Sequence, residues 1–158
     1  MFVEQDDVLT LIEGLTAKIF SVCLNTPIET PLPRLKYADV MLKYGSDKPD
    51  LRYGLEIVDV GDIVAGSEFS VFKNVLAAGG VVRGINAKGA AAKYSNTELK
   101  PGGKLPKVAE TYKAKGLAWM KFEGDKFTGS IEKFFSEEVK TALKQRMAVE
   151  NGDLVLFV

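Results

Sequence analysis

Two short apolar runs in the second half of the chain limit what it can fold into more than any other feature. Residues 117–122 (LAWMKF) and 153–158 (DLVLFV) have the length and the apolar content of buried β-strands. Two stretches with helical spacing of apolar residues accompany them, residues 105–115 before the first run and residues 136–149 between the two. Strands and helices that alternate in this way predict a sheet packed against helices.

The remaining elements of this half complete the predicted fold. Residues 68–76 and 81–85 have a strand-like composition, and the glycine pair between them suits a tight hairpin. The order strand, strand, helix, strand, helix, strand predicts an α+β domain with a mostly antiparallel, four-stranded sheet and helices packed on one face. We place this domain at residues 67–158, because a Gly-Ser pair at its start marks the clearest boundary in the chain.

Residues 1–66 form a separate, mainly helical segment in this prediction. Apolar residues recur at three- and four-residue spacing over residues 8–23, which predicts an amphipathic helix that Asp6 or Asp7 caps. A proline-rich stretch follows and breaks that helix. Shorter elements are predicted beyond it: a helix at residues 37–44 and brief strands at residues 34–36 and 55–58.

The chain has no net charge, but its charges are unevenly distributed. Residues 1–70 carry 12 acidic and 6 basic side chains, whereas residues 81–121 carry nine basic side chains and two acidic ones. A basic block of this size can bind a phosphate-bearing partner. The alternative is that these lysines are simply solvated on helix faces.

The chain contains no histidine and a single cysteine, Cys23. This composition excludes Ser-His-Asp and Cys-His catalysis, imidazole bases and nearly all zinc sites, and it leaves no internal disulfide. No apolar run is long enough to span a bilayer, and the acidic start lacks the basic region of a signal peptide. We therefore expect a cytoplasmic protein without a metal site.

One dense cluster of polar side chains lies on a predicted loop. Residues 44–52 have the sequence YGSDKPDLR, in which the proline disfavours helix at the residue before it. Basic residues there could contact phosphate, with neighbouring carboxylates to orient them. An Asx-type turn with local ion pairs explains the same pattern without a binding site. The candidate residues of this loop are Ser46, Asp47, Lys48, Asp50 and Arg52.

The order of residues in this loop also carries a family resemblance. Residues 33–57 (PRLKYADVMLKYGSDKPDLRYGLEI) resemble the segment that follows motif 2 in bacterial-type aspartyl-tRNA synthetases. Residues 2–9 (FVEQDDVL) resemble the helix entry just after that motif. Residues 67–158 look like the GAD domain, the large insertion that these class II enzymes carry between motifs 2 and 3. The resemblance covers nearly the whole chain and implies a piece of a synthetase.

Enzymes of this family are homodimers that activate aspartate with ATP and Mg²⁺ and transfer it to the 3′ end of tRNA through an aspartyl-adenylate. Their catalytic arginines in motifs 2 and 3, their anticodon-binding barrel and the motif 1 dimer interface lie outside the segment that the resemblance covers. The resemblance therefore implies that this chain alone has no catalytic residue, needs no cofactor and does not aminoacylate. Its implied partners are the rest of the catalytic domain and tRNA.

The GAD domain also occurs in a subunit of tRNA-dependent amidotransferases, which is an alternative parent that matches the first half of the chain less well. Because both families handle tRNA charged with an acidic amino acid, we hypothesise that the basic block contacts tRNA. The competing hypothesis is a structural or protein-interaction module that braces the catalytic domain. RNA contact gains support if Lys88, Lys93, Lys100, Lys104 and Lys107 share a face, and the structural module gains support if they scatter. The candidate surface residues are Arg83, Lys88, Lys93, Lys100, Lys104 and Lys107.

Overall fold

A computed structural model describes residues 2–158 of the chain, and its contacts divide the chain into two compact units, Met1–Tyr37 and Ala38–Val158. The first unit consists of helix α1 (Gln5–Leu24) and the extended chain that follows it. The predicted helix is confirmed, but its N-cap is Glu4 and not Asp6 or Asp7. Asp7 lies in the first turn, where its carboxylate accepts a hydrogen bond from the Glu4 amide at 3.0 Å. Residues 34–36 are irregular and do not form the predicted strand. Among residues 2–158, no helix is long and apolar enough to cross a membrane.

The second unit is built on one antiparallel sheet of five strands. The strands are β1 (Ile57–Asp59), β2 (Arg83–Ala87), β3 (Ala118–Glu123), β4 (Lys126–Gly129) and β5 (Asp153–Phe157), in the spatial order β1-β2-β5-β3-β4. The helices are α2 (Tyr37–Tyr44), α3 (Gly61–Val64), α4 (Ser70–Ala77), α5 (Asn96–Leu99), α6 (Lys104–Thr111) and α7 (Glu137–Arg146). This architecture confirms the predicted α+β class with a mostly antiparallel sheet.

Helices cover both faces of this sheet, whereas the sequence predicts helices on one face. On the first face, Met120 and Phe122 of β3 and Phe157 of β5 pack with residues of α3, α4 and α7. On the second face, Trp119 and Leu154 pack with residues of α5 and α6. Successive side chains of a strand point to opposite faces. Because β3 and β5 carry large apolar side chains at both sets of positions, both faces must be covered to exclude water from them.

The prediction of a strand at residues 68–76 is wrong, because the chain there forms helix α4. Phe72 and Leu76 lie four residues apart and pack into the core of the first face, while Val75 stays exposed. A run so rich in apolar residues fits both the helical and the strand period, and packing partners decide between them. The glycine pair after it ends the helix, since the Gly80 amide donates to the Val75 carbonyl at 2.9 Å.

Five strands replace the four that the sequence predicts. Strand β4 escapes prediction because Phe127 is its one buried residue, so the strand has little apolar pattern. A two-residue turn at Gly124 and Asp125, with φ values of 56° and 60°, joins β3 to β4. Strand β1 precedes the domain boundary predicted after residue 66 and pairs with β2 beyond it. The position of that boundary stays a prediction.

Candidate nucleic-acid interface

Four lysines of the predicted basic surface are exposed and have no carboxylate partner. Among residues 2–158, the structure places no Asp or Glu oxygen within 4.0 Å of their ammonium groups. Ammonium groups without partners leave their charge available for an anionic ligand. The four are Lys93, Lys100, Lys104 and Lys107.

The segment that carries these lysines is held against the second face of the sheet. Leu99 of α5 is fully buried, and the half-buried Leu105 of α6 packs against the same cluster around Trp119. A capping box starts α5, in which the Ser95 hydroxyl accepts from the Glu98 amide and the Glu98 carboxylate accepts from the Ser95 amide at 2.9 Å. The apolar side of the segment is therefore fixed to the sheet, and its polar side carries the lysines.

Three of the four lysines lie around the junction of α5 and α6. Lys104 and Lys107 share one side of α6, because residues three apart are neighbours on a helix surface. Lys100 follows α5 directly, and its carbonyl accepts a hydrogen bond from the Gly103 amide at 2.8 Å, which closes the turn into α6. Lys93 lies one element earlier, in a 3₁₀ turn ahead of α5.

The turn at Gly103 offers a test of how tightly this surface is built. An added Cβ at Gly103 would lie 2.5 Å from the carbonyl oxygens of Thr97 and Glu98, so α5 and α6 would have to separate. We expect Gly103→Ala to lower the free energy of unfolding by about 1–3 kcal/mol, measured by urea denaturation. Gly116→Ala is the control, because open space surrounds its Cβ position. Equal stability of the two variants would show that the junction is free to open.

The other two cations of the predicted surface are engaged within the fold. The Lys88 ammonium group lies 3.2 Å from the Asp153 carboxylate and 3.4 Å from that of Glu150. The Arg83 side chain is about one-third exposed, with its guanidinium group 4.0 Å from the Asp59 carboxylate. The structure thus separates the six predicted residues into four outward lysines and two cations with internal partners.

A residue outside the predicted set, Lys121, lies beneath this surface. Lys121 is buried in β3, and its ammonium group donates to the Tyr94 carbonyl at 2.6 Å. This bond attaches the chain between Lys93 and α5 to the sheet. The sequence does contain a signal for it, because a lysine inside the apolar run of residues 117–122 needs a polar partner once the strand is buried.

The carboxylate of Glu98 lies beside the same surface. Hydrogen bonds from the Ser95 backbone and hydroxyl hold the pKa of Glu98 below its usual value, and the charges of Lys104 and Lys121 lower it further. Glu98 therefore stays ionised at neutral pH, where it caps α5 and reduces the positive potential close to Lys104.

The polar loop before β1 is dominated by local contacts. The Arg52 guanidinium binds both oxygens of the Asp50 carboxylate, which also accepts from the Arg52 amide at 3.0 Å. This pairing lowers the pKa of Asp50 and raises that of Arg52. The Ser46 hydroxyl accepts from the Lys48 amide at 3.2 Å, and Asp47 is exposed. These contacts fit the local-turn alternative, and a contact of this loop with ATP or tRNA stays a hypothesis.

Comparison with known proteins places these features in a family context. The GAD domain family matches residues 72–158. An aspartate–tRNA ligase of Geobacillus kaustophilus is 47% identical over 157 residues, and an aspartate–tRNA(Asp/Asn) ligase of Symbiobacterium thermophilum is 47% identical over 158 residues. An aspartate–tRNA(Asp/Asn) ligase of Bacillus anthracis is 43% identical over 157 residues. Each match covers 99% of this chain and 26% of the relative, so the chain spans about a quarter of the length of the curated relatives it matches.

Proposed function

We propose that this chain, which belongs to the GAD domain family, gives an aspartate–tRNA ligase a surface that contacts tRNA. The relatives that share 43–47% of its sequence are aspartate–tRNA and aspartate–tRNA(Asp/Asn) ligases. On this proposal the chain is a non-catalytic part of such an enzyme. The ATP-dependent attachment of aspartate to tRNA is then carried out by other parts of the ligase.

The observation that carries the proposal is the set of four exposed lysines around α5 and α6 that have no carboxylate partner within the described residues 2–158. Lysine presents a compact point charge, which suits contact with a phosphate rather than bidentate recognition of a base. We therefore expect the surface to contact the phosphate backbone and to position the tRNA, while sequence recognition occurs elsewhere in the enzyme.

Charge reversal of three of these lysines should weaken tRNA binding. The variant combines Lys93→Glu, Lys100→Glu and Lys104→Glu, and binding is measured by fluorescence anisotropy of a labelled aspartate tRNA transcript at several salt concentrations. We expect saturable binding by the unmodified chain that weakens with salt. In the variant, the affinity should fall at least about tenfold and the slope of log K against log salt should become shallower by about two to three units.

A matched control reverses three exposed lysines on other elements, through Lys73→Glu, Lys126→Glu and Lys133→Glu. The change in net charge is the same, so an equal loss of affinity would show that net charge and not the proposed surface determines binding. Failure of the unmodified chain to bind at protein concentrations on the order of tens of micromolar would contradict the proposal. The structural or protein-interaction module would then be the better explanation.

The cofactors of the proposed parent enzyme, ATP and Mg²⁺, are not assigned to residues of this chain. Among residues 2–158, no three Asp, Glu or Cys side chains come together as ligands of a metal ion would.

A bracing role within the ligase has an independent observation in its favour, the exposed apolar stripe of α1. Leu11 and Val22 are 71% and 73% exposed, and Ile12, Leu15 and Ile19 are about half exposed. An apolar stripe of this length on a helix is normally packed against a partner. We propose that the rest of the catalytic domain covers it.

A further inference from the structure

Lys121 carries its charge at a position where a charged side chain is costly. It lies on β3 and is only 9% exposed. Its side chain points to the second face of the sheet, the same side as that of Trp119 two residues before it. Opposite it on β5 is Leu154, which is fully buried. A lysine is rarely buried in such surroundings unless a partner compensates its charge.

The compensation that Lys121 receives is small for a buried ammonium group. Its Nζ donates to the Tyr94 carbonyl at 2.6 Å, and among residues 2–158 no Asp or Glu oxygen lies within 4.0 Å of it. The charge of Lys121 lowers the pKa of Glu98, but that carboxylate accepts its hydrogen bonds from Ser95. An apolar side chain of similar length would be buried there at less cost. The lysine is therefore better explained by the backbone that it holds than by the stability of the sheet.

The ammonium group of Lys121 holds one end of a short segment that carries an exposed lysine. At the start of this segment, Ala91 is fully buried and its amide donates to the Gly152 carbonyl at 2.9 Å. At its end, the Tyr94 carbonyl accepts the hydrogen bond from Lys121. Lys93 is exposed between these two anchors. The position of its backbone is therefore set by the sheet at both ends of the segment.

We propose that Lys121 is a positioning residue of the tRNA-contacting surface. Its ammonium group fixes the Tyr94 carbonyl and thereby holds Lys93 where Lys93 contacts a phosphate of the tRNA backbone. A side chain on a fixed backbone loses less freedom on binding than one on a mobile segment. This inference rests on the proposed function, because it assigns Lys121 a role beneath that same surface.

The variant Lys121→Met tests the anchor in the free protein. It removes the ammonium group and keeps a side chain of similar length, so the midpoint of urea unfolding should be unchanged or higher. The Lys93 amide donates to the Ala90 carbonyl at 3.1 Å, and its hydrogen exchange should become at least about threefold faster once the Tyr94 anchor is lost. Lys121→Gln, which is shorter and uncharged, should behave in the same way. Unchanged exchange at Lys93 in both variants would overturn the proposal.

The same variant should bind tRNA more weakly than the unmodified chain. By fluorescence anisotropy with a labelled aspartate tRNA transcript, we expect the affinity of Lys121→Met to fall about three- to tenfold and the salt slope to become shallower by up to about one unit. Lys126→Met is the matched control, because it removes one positive charge from an exposed position on β4. An equal loss of affinity in the two variants, or unchanged affinity in Lys121→Met, would overturn the proposal.

A double-mutant cycle separates positioning from the charge of Lys121 itself. In a Lys93→Gln background, Lys121→Met should change the tRNA affinity by less than about twofold, because the residue that it positions no longer carries a charge. In a Lys107→Gln background, Lys121→Met should weaken binding as much as it does in the unmodified chain. Equal losses in the two backgrounds would mean that Lys121 acts through its own charge or through general stability, and would overturn the proposal.

Failure of this inference differs from failure of the proposed function. If the unmodified chain does not bind tRNA, the proposed function is wrong and the role of Lys121 is wrong with it. If the unmodified chain binds tRNA and Lys121→Met binds it equally well, the proposed surface stands and the positioning role alone is overturned.

Discussion

Replacing Asp153 by alanine should lower the free energy of unfolding by about 3 kcal/mol or more. The Asp153 side chain is buried and accepts hydrogen bonds from the amides of Gly89 at 2.8 Å and Glu150 at 2.9 Å, and from the Asn86 side chain at 2.9 Å. Its carboxylate also lies 3.2 Å from the Lys88 ammonium group. Removal of the carboxylate therefore leaves the Gly89 and Glu150 amides without their acceptor, whereas the Asn86 side chain keeps the Met147 and Ala148 carbonyls.

The measurement is urea denaturation followed by circular dichroism at neutral pH. Glu150→Ala is the matched control, because the Glu150 carboxylate lies 3.4 Å from the same lysine but is 78% exposed. An exposed ion pair contributes less than about 1 kcal/mol. Equal destabilisation by the two substitutions would mean that the ion pair with Lys88, and not the buried hydrogen bonds, accounts for the effect. A second variant, Asp153→Asn, keeps the shape but directs an amide N–H at these donors, and it should also be destabilised.

Acid should remove the stabilisation that the Asp153 carboxylate gives to the unmodified chain. Burial by itself raises the pKa of Asp153, but hydrogen bonds from the Glu150 and Gly89 amides, Asn86 and Lys88 outweigh it and hold the pKa below its usual value. A carboxyl group with a lower pKa in the folded state stabilises the fold above its unfolded pKa of about 3.9, and this stabilisation is lost as pH falls through the folded pKa. The difference in unfolding free energy between the unmodified chain and the Asp153→Ala variant should therefore be constant above about pH 5. It should become smaller below about pH 4.

Replacing Phe157 by alanine should lower the free energy of unfolding by about 3–5 kcal/mol. Phe157 is 1% exposed on β5, in the middle of the sheet, and its ring centroid lies 6.2 Å from that of Phe72 on α4. On the same side of the sheet, β2 has Gly84 opposite Phe157, where an added Cβ would lie 2.9 Å from the ring. The backbone is thus packed closely around this ring, so truncation leaves a cavity that the surroundings fill poorly.

Val158→Ala is the control for this substitution, because Val158 is adjacent in sequence and 55% exposed. We expect its unfolding free energy to stay within about 0.5 kcal/mol of that of the unmodified chain. Thermal and urea unfolding of both variants provide the measurement. A loss of less than about 1 kcal/mol in Phe157→Ala would contradict a single well-packed core on the first face.

Elements with a strong local pattern could be predicted from the sequence. The apolar stripe of residues 8–23 predicts α1, and the helical spacing of residues 136–149 predicts α7. The apolar runs at residues 117–122 and 153–158 became β3 and β5, neighbours in the sheet. Residues 68–76 and β4 were not predictable in the same way. The apolar pattern of residues 68–76 fits both the helical and the strand period, and β4 buries a single residue, Phe127.

The candidate interface was predictable as a basic segment but not as a set of contacts. The count of lysines over residues 81–121 follows from the sequence alone. Whether a given lysine is free depends on residues far along the chain: Lys88 meets Glu150 and Asp153, more than sixty residues away, and Lys121 meets the Tyr94 carbonyl. Sequence proximity to other cations therefore says little about which charges remain available.

The sequence by itself determined the family resemblance, the α+β class and the basic block, because residue order, short-range periodicity and composition are local properties. The tertiary structure alone decided that helices cover both faces and that four exposed lysines have no carboxylate partner among residues 2–158. Each of these depends on strand register and on long-range packing. The alignment of Ile57, Ile85 and Leu156, from three strands distant in sequence, is fixed by pairing that no local pattern encodes.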